Sequence, residues 1–319
     1  MLRSCRFTTI HRFALGAAVL ASLASVVHPI PAAAQTKAAA QPKAVESRAG
    51  VPQPKPGAPF KDNPAAKTAG SAIPGGIVRW SEPGTRSCRM GKRSWAPVDG
   101  TCYYPIDIMT RPGVITVTRV GAGKSESAKV RVEPFDYGTQ EVELPDIPQR
   151  DPSPADLKRV AREGQVLAKL WQRRAGPPQF TLPLGAPAKP LPPGKAFGVG
   201  RVFNGKAASQ PHMGIDYPIG PGVPILAVAD GTVGLAQDLF NPGNAVFVDH
   251  GDGLISESFH LSEMSVKTGD TVKKGDVIGK VGTTGRSTGA HLFFGVRWHG
   301  ARINPRFLLE DPVKIDSVR

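Results

Sequence analysis

From Gly198 to about Leu309 the chain breaks into short apolar runs closed by glycine, with no helical periodicity between them. PILAVADGTVGLA, NAVFVDH, GLISESFHL, VKKGDVIGKVG and HLFFGVRW read as strands and hairpins, because alternating or fully apolar runs bounded by turn residues suit a sheet. This punctuation makes residues 198–309 an all-β domain in which the wider loops are the natural place for a site.

The rest of the chain is organised around that domain. Residues 76–150 carry GGIVRW, YYPIDIMT, VITVTRV and AKVRVEPFDY, a small β-rich domain with Val130, Val132 and Phe135 on an expected buried face. Residues 151–176 are the one clear helix: Ser153 is placed to cap it, Pro154 suits its first turn, and Gly176 follows its end. Its apolar stripe is Leu157, Val160, Leu167, Leu170 and Trp171. A proline-rich connector, 177–197, is expected to run along the surface, and 310–319 is a C-terminal tail. The Ala-, Pro- and Lys-rich stretch 35–75 lacks the apolar surface to fold and reads as a linker.

Residues 1–34 read as an export signal. Arg3, Arg6 and Arg12 precede an apolar run, and Ala32 and Ala34 offer small residues for cleavage before Gln35. The run is too short for a membrane span, and no later segment is long and apolar enough for one. The expected location is the periplasm or cell envelope of a bacterium. Cys88 and Cys102 then read as a disulfide pair, since oxidising compartments favour one. The net charge is +14, from 40 Lys and Arg against 26 Asp and Glu. No helix-turn-helix, zinc-finger spacing or interleaved aromatic pattern accompanies it, so no nucleic-acid partner is expected.

Five of the seven histidines, His212, His250, His260, His291 and His299, fall in the last domain. PHMGIDYP sets His212 and Asp216 four residues apart around a glycine, and imidazole and carboxylate both suit zinc. His260 ends one strand and His291 begins another, so a shared site is expected.

PHMGIDYPIGPGVPILAVADGTV, followed by FVDHGDGLISESFHLSEMSVKTGDTVKKGDVIGKVGTTGRSTGAHLFFGV, resembles the lysostaphin-type (LytM-like) zinc endopeptidases over Gly198 to about Phe307. The resemblance implies a Zn²⁺ cofactor with His212 and Asp216 as metal ligands, His260 and His291 as catalytic histidines, and Asn244 as a substrate-binding position. It implies peptidoglycan as the partner. The family closes its site with His-x-His, whose second histidine is the third ligand; that position here is Phe293. Residues two apart on a strand share a face, so Phe293 is expected to point at the metal position without a lone pair to offer. Three outcomes stay open. The zinc site is impaired, and the protein binds cell wall or regulates wall hydrolysis, with a cell-wall amidase or another envelope protein as partner. Alternatively His291 or His299 substitutes as third ligand in an active peptidoglycan endopeptidase, His250 being a weaker candidate. A purely structural envelope role is the third.

Overall fold

The protein is described by a computed structural model covering residues 68–121, 123–173 and 176–318. The expected signal, its cleavage point and the linker up to residue 67 lie outside the described residues. No helix among the described residues is long and apolar enough to cross a membrane.

The chain is mostly strand. The first region contains β1 (Gly70–Ala72), β2 (Ile77–Ser81), β3 (Ser87–Met90), β4 (Arg93–Trp95), β5 (Thr101–Pro105), β6 (Gly113–Val120), β7 (Ser125–Val132) and β8 (Thr139–Val142). A five-stranded sheet runs β1-β7-β6-β3-β4, and β2 pairs with β5. The Cys88–Cys102 disulfide is present and links β3 to β5. β1 lies within the stretch expected to be linker; it pairs in parallel with β7 and places Ala72 in the core beside Val130 and Val132. Phe135 departs from expectation. β7 ends at Val132, the alternation ends with it, and Phe135 is 52% exposed.

The helix α1 spans Pro154–Trp171. Ser153 caps it in a reciprocal capping box with Asp156, but the helix closes at Gln172 and does not extend to Gly176. Leu170 is buried and Leu167 and Trp171 are partly buried against β13 and its neighbours, whereas Leu157 is exposed. The buried stripe is therefore confined to the last turns. Gly234 admits this contact, since a Cβ there would come within 2.6 Å of a Leu170 methyl.

Past α1 come β9 (Gly200–Phe203), β10 (Lys206–Ala207), β11 (Gly214–Tyr217), β12 (Pro224–Leu226), β13 (Gly231–Leu239), β14 (Gly243–Asp249), β15 (Leu254–Met264), β16 (Thr271–Val272), β17 (Val277–Val281), β18 (Leu292–Trp298) and β19 (Ala301–Ile303), then the short helix α2 (Arg306–Leu309). β11 to β19 form one antiparallel nine-stranded sheet around the path β11-β18-β15-β14-β13-β16. β9 sits in a separate three-stranded sheet, antiparallel to β10 and parallel to β8.

The main core joins sheet residues such as Ile215, Ile225, Val248, Phe294 and Trp298 to Ile77 and Tyr103 of the first region. Full burial of side chains like these contributes about 1.5–3 kcal/mol each. Two expectations are corrected here. The connector 177–197 is not a surface wrap, because Phe180, Leu184, Ala188 and Phe197 all enter this core. The tail 310–319 is not free either: Ile315 and Val318 are buried, and Ser317 bridges to Arg79.

Candidate functional site

β11 and β18 run antiparallel with Asp216 opposite Phe293 and Gly214 opposite Gly295. Side chains two apart on a strand share a face, so Gly214 and Asp216 look the same way. A Cβ on Gly214 would fall 2.5 Å from Phe293 Cζ, so glycine at 214 is what lets the phenyl ring lie beside Asp216.

Two imidazoles converge on the carboxylate. His212 Nδ1 lies 2.9 Å from the Gly214 carbonyl and His291 Nδ1 lies 2.8 Å from that of Gly289. A carbonyl only accepts, so both Nδ1 atoms carry a proton and each ring turns Nε2 inward. His212 Nε2 is 3.1 Å, and His291 Nε2 3.6 Å, from Asp216 Oδ1. Those distances are within ion-pair reach, yet Oδ1 is buried and has no partner of hydrogen-bond geometry.

The other oxygen is occupied by a cation from β9. Arg201 Nη2 donates to Asp216 Oδ2 at 2.8 Å, with 13% and 18% of the two side chains exposed. Burial pushes the Asp216 carboxyl up, but contact with His212 and the charges of His212, His291 and Arg201 outweigh it and hold the group down to about 2. Arg201 Nε is itself buried without a hydrogen-bond partner.

His260 occupies a left-handed backbone position, φ +64°, where β15 bulges against β14 and β17. A non-glycine residue there costs about 1 kcal/mol or more, and the cost is tolerated where neighbours fix the turn. Here the His260 amide donates to Pro242 O at 2.9 Å and Nδ1 to Thr284 O at 2.8 Å. The ring is buried; burial first, then the His291 charge, lowers its pKa to about 4. The His260 and His291 ring centroids are 4.9 Å apart, so the two histidines expected to be catalytic share one pocket. Asn244 lies at the same end, but its side-chain amide donates to Leu261 O at 3.1 Å and its backbone N–H to Thr284 Oγ1 at 3.0 Å. It clasps the two loops together.

Phe293 is 7% exposed, stacks on Phe259 with centroids 4.5 Å apart, and meets His212 edge-on at 5.1 Å. It brings no donor atom. Among the described residues no three His, Cys, Asp or Glu side chains form a metal-binding group. Arg201 already neutralises Asp216. As placed, the side chains do not fit a zinc ion with three protein ligands.

The other two histidines stand elsewhere. His299 stacks on Trp95 at 4.3 Å and its Nε2 is 3.5 Å from Asp252 Oδ2. It lies six residues beyond Phe293 along an extended strand and turn, roughly 20 Å at the usual rise. His299 thus stands apart from Asp216 and packs on Trp95 instead. His250 is fully buried at the β14–β15 turn, its ring bonded to Asp230 O and Ser256 Oγ, both at 2.8 Å. The residues that sequence reasoning missed are Arg201, Phe259, Thr284 and Arg286. Of these, only Phe259 stood in a run that reads as a strand, GLISESFHL.

The geometry has counterparts among known proteins. Residues 210–305 match the model of Peptidase family M23. The DD-carboxypeptidase/endopeptidase Mpg of Neisseria meningitidis is 44% identical over 94 residues, 30% of this chain and 22% of that protein. The peptidoglycan DD-endopeptidase ShyC of Vibrio cholerae is 43% identical over 96 residues, 30% of this chain and 22% of its own length. The chain thus spans about a fifth of the length of these curated relatives. A solved structure from Pseudomonas aeruginosa assigned to peptidase M23 aligns with a TM-score of 0.58 at 29% identity, covering 74% of this chain and 94% of that one. That alignment reaches well beyond residues 210–305, into the strands and helix that precede them. With the sheet, the His212–Asp216 spacing and these matches in agreement, residues 210–305 form a peptidase family M23 domain.

Proposed function

We propose that this is an exported envelope protein whose M23 groove binds the peptides of peptidoglycan without hydrolysing them. The observation that carries the reading is Phe293: a phenyl ring packed on Phe259 and His212 stands opposite Asp216, where the family's zinc chemistry needs a donor. The named activity of the Vibrio relative, a peptidoglycan DD-endopeptidase, supports peptidoglycan as the bound polymer. Contact with a cell-wall amidase or another envelope protein is the regulatory form of the same reading, and it rests on resemblance alone.

A second reading keeps hydrolysis. It is favoured by His291, whose Nε2 is 3.6 Å from Asp216 Oδ1 and would be the third ligand after a small swing. Catalysis would then fall to His260 as the sole histidine of that role.

One experiment separates them. The chain is purified without added metal, its zinc is quantified, and it is incubated with peptidoglycan sacculi beside a Phe293→His variant. The expected result is co-sedimentation of both proteins with sacculi, zinc well below one per molecule in the natural chain, and no release of soluble peptides by it. Near-stoichiometric zinc with peptide release by the natural chain would replace the first reading with the second.

A further inference from the structure

Arg201 does more than neutralise Asp216, because it is not the only guanidinium at the pocket. Arg201 and Phe203 lie two apart on β9 and therefore share a face. The guanidinium of Arg286 lies over the Phe203 ring, 4.3 Å from its centroid. The loop that carries Arg286 is fixed from below. Gly243 and Gly285 both have positive φ and approach so closely that a Cβ on Gly285 would lie 2.3 Å from Gly243 N. The Arg286 amide donates to Asn241 O at 2.8 Å.

Charge at this end of the groove does not balance. Asp216 is the one carboxylate paired with Arg201, and among the described residues no carboxylate pairs with Arg286. Burial first, then the neighbouring Arg201 charge, lowers the Arg286 pKa, the direction expected of a cation lacking an anion. Arg201 Nε, buried and without a hydrogen-bond acceptor, is a second unmet donor. A half-buried guanidinium with no anionic partner is unfavourable, whereas a planar fork of N–H donors matches a carboxylate in two parallel hydrogen bonds. The phenyl under Arg286 belongs to Phe203, which shares a face of β9 with Arg201.

We infer that Arg201 and Arg286 form a carboxylate-binding subsite that anchors a free carboxyl group of the bound peptide beside the Asp216 pocket. The inference rests on the peptide-binding reading above and names the chemical group that such binding recognises. An acidic peptide is favoured over a free anion because Arg286 and Asp216, the partner of Arg201, both lie in the region matched to Peptidase family M23, whose Vibrio relative is named a peptidoglycan endopeptidase.

The test uses the full chain and muropeptides released from wall by a glycan-cleaving muramidase, before and after carbodiimide amidation of their carboxyl groups. Calorimetry is expected to show the free-acid peptides binding at least about tenfold more tightly than the amides. Arg286→Gln should abolish most of that difference, and Arg286→Lys should restore part of it. Equal affinity for acid and amide forms overturns the inference, as does an undiminished preference in Arg286→Gln. Acetate competing as well as the peptide, at equal carboxylate concentration, would also overturn it by assigning the subsite to small anions. The acid–amide comparison needs no variant, so a poorly folding substitution leaves it intact. Co-sedimentation with sacculi but no acid preference removes the subsite and leaves the binding reading standing; failure to co-sediment at all removes both.

Discussion

The β14–β15 turn and the Asp216 pocket both bury histidine, with opposite results. At the turn, His250 is wholly enclosed, Nδ1 donates to Asp230 O, and Nε2 accepts from Ser256 Oγ. Nothing is left over. In the pocket, His212 and His291 each use Nδ1 on a local carbonyl and turn Nε2 toward Asp216 Oδ1, an atom in no hydrogen bond. The first arrangement completes its own polar inventory and holds a turn. The second leaves a buried carboxylate oxygen and a buried guanidinium nitrogen in no hydrogen bond, capacity that a ligand would use. Burial of histidine alone does not tell the two apart; the count of unmet polar atoms does.

The hardest way to break this contrast is to remove His250. His250→Ala would leave a void and strand both Ser256 Oγ and the Asp230 carbonyl, with an expected loss of about 4 kcal/mol. Urea unfolding of the full chain measures it. A loss of about 1 kcal/mol or less would show the turn to be as open to water as the pocket, and the distinction would fall.

Acid separates the buried histidines of both regions from the Asp216 carboxylate next. Burial lowers His250, and His260 likewise, to about 4. A histidine depressed below its unfolded value of about 6.5 contributes stability that is full above pH 6.5 and lost as pH falls toward 4, on the order of 3 kcal/mol for His250. Asp216 behaves differently. Its pKa is held at about 2, so its contribution is intact above the unfolded value near 3.9 and is lost only as pH drops toward 2, roughly 2 kcal/mol. Unfolding midpoints from pH 8 to pH 2 should therefore fall in two steps. Asp216→Asn is expected to erase the lower step and leave the upper one; loss of the upper step in that variant would tie the buried histidines to the carboxylate.

Much of this was legible in the sequence, and the rest was hidden for physical reasons. Glycine-closed apolar runs announced the sheet, and the histidine clustering announced that His212, Asp216, His260 and His291 would meet. Local chemistry announced the helix start at Ser153. Arg201 was hidden because nothing local ties β9 to Asp216; the approach depends on the parallel β8–β9 pairing and on the isolated Lys195–Asp216 bridge. The connector was misread because Phe180, Leu184, Ala188 and Phe197 enter the core from an extended chain with no period to detect. The tail was too short to show one. Phe135 failed for the opposite reason: three residues of alternation were extrapolated past the end of the strand.

The smallest expected effect is the sharpest probe of the contrast. Among the described residues the His291 ring hydrogen-bonds with Gly289 O and Ser287 Oγ, in a loop whose preceding residues are exposed. Truncating it leaves no enclosed group stranded, because Ser287 Oγ already donates to the Gly289 carbonyl at 2.7 Å. His291→Ala should therefore change stability by less than about 1 kcal/mol, the net worth of one ordinary hydrogen bond. Asp216 would lose a neighbour that favours its charge, so the lower acid step should move toward higher pH in the variant. Small cost with a shifted acid step is the signature of a side chain held for a ligand. A cost approaching that of His250→Ala would mean that the pocket, like the turn, is a closed structural cluster, and the groove would lose its claim to be a site.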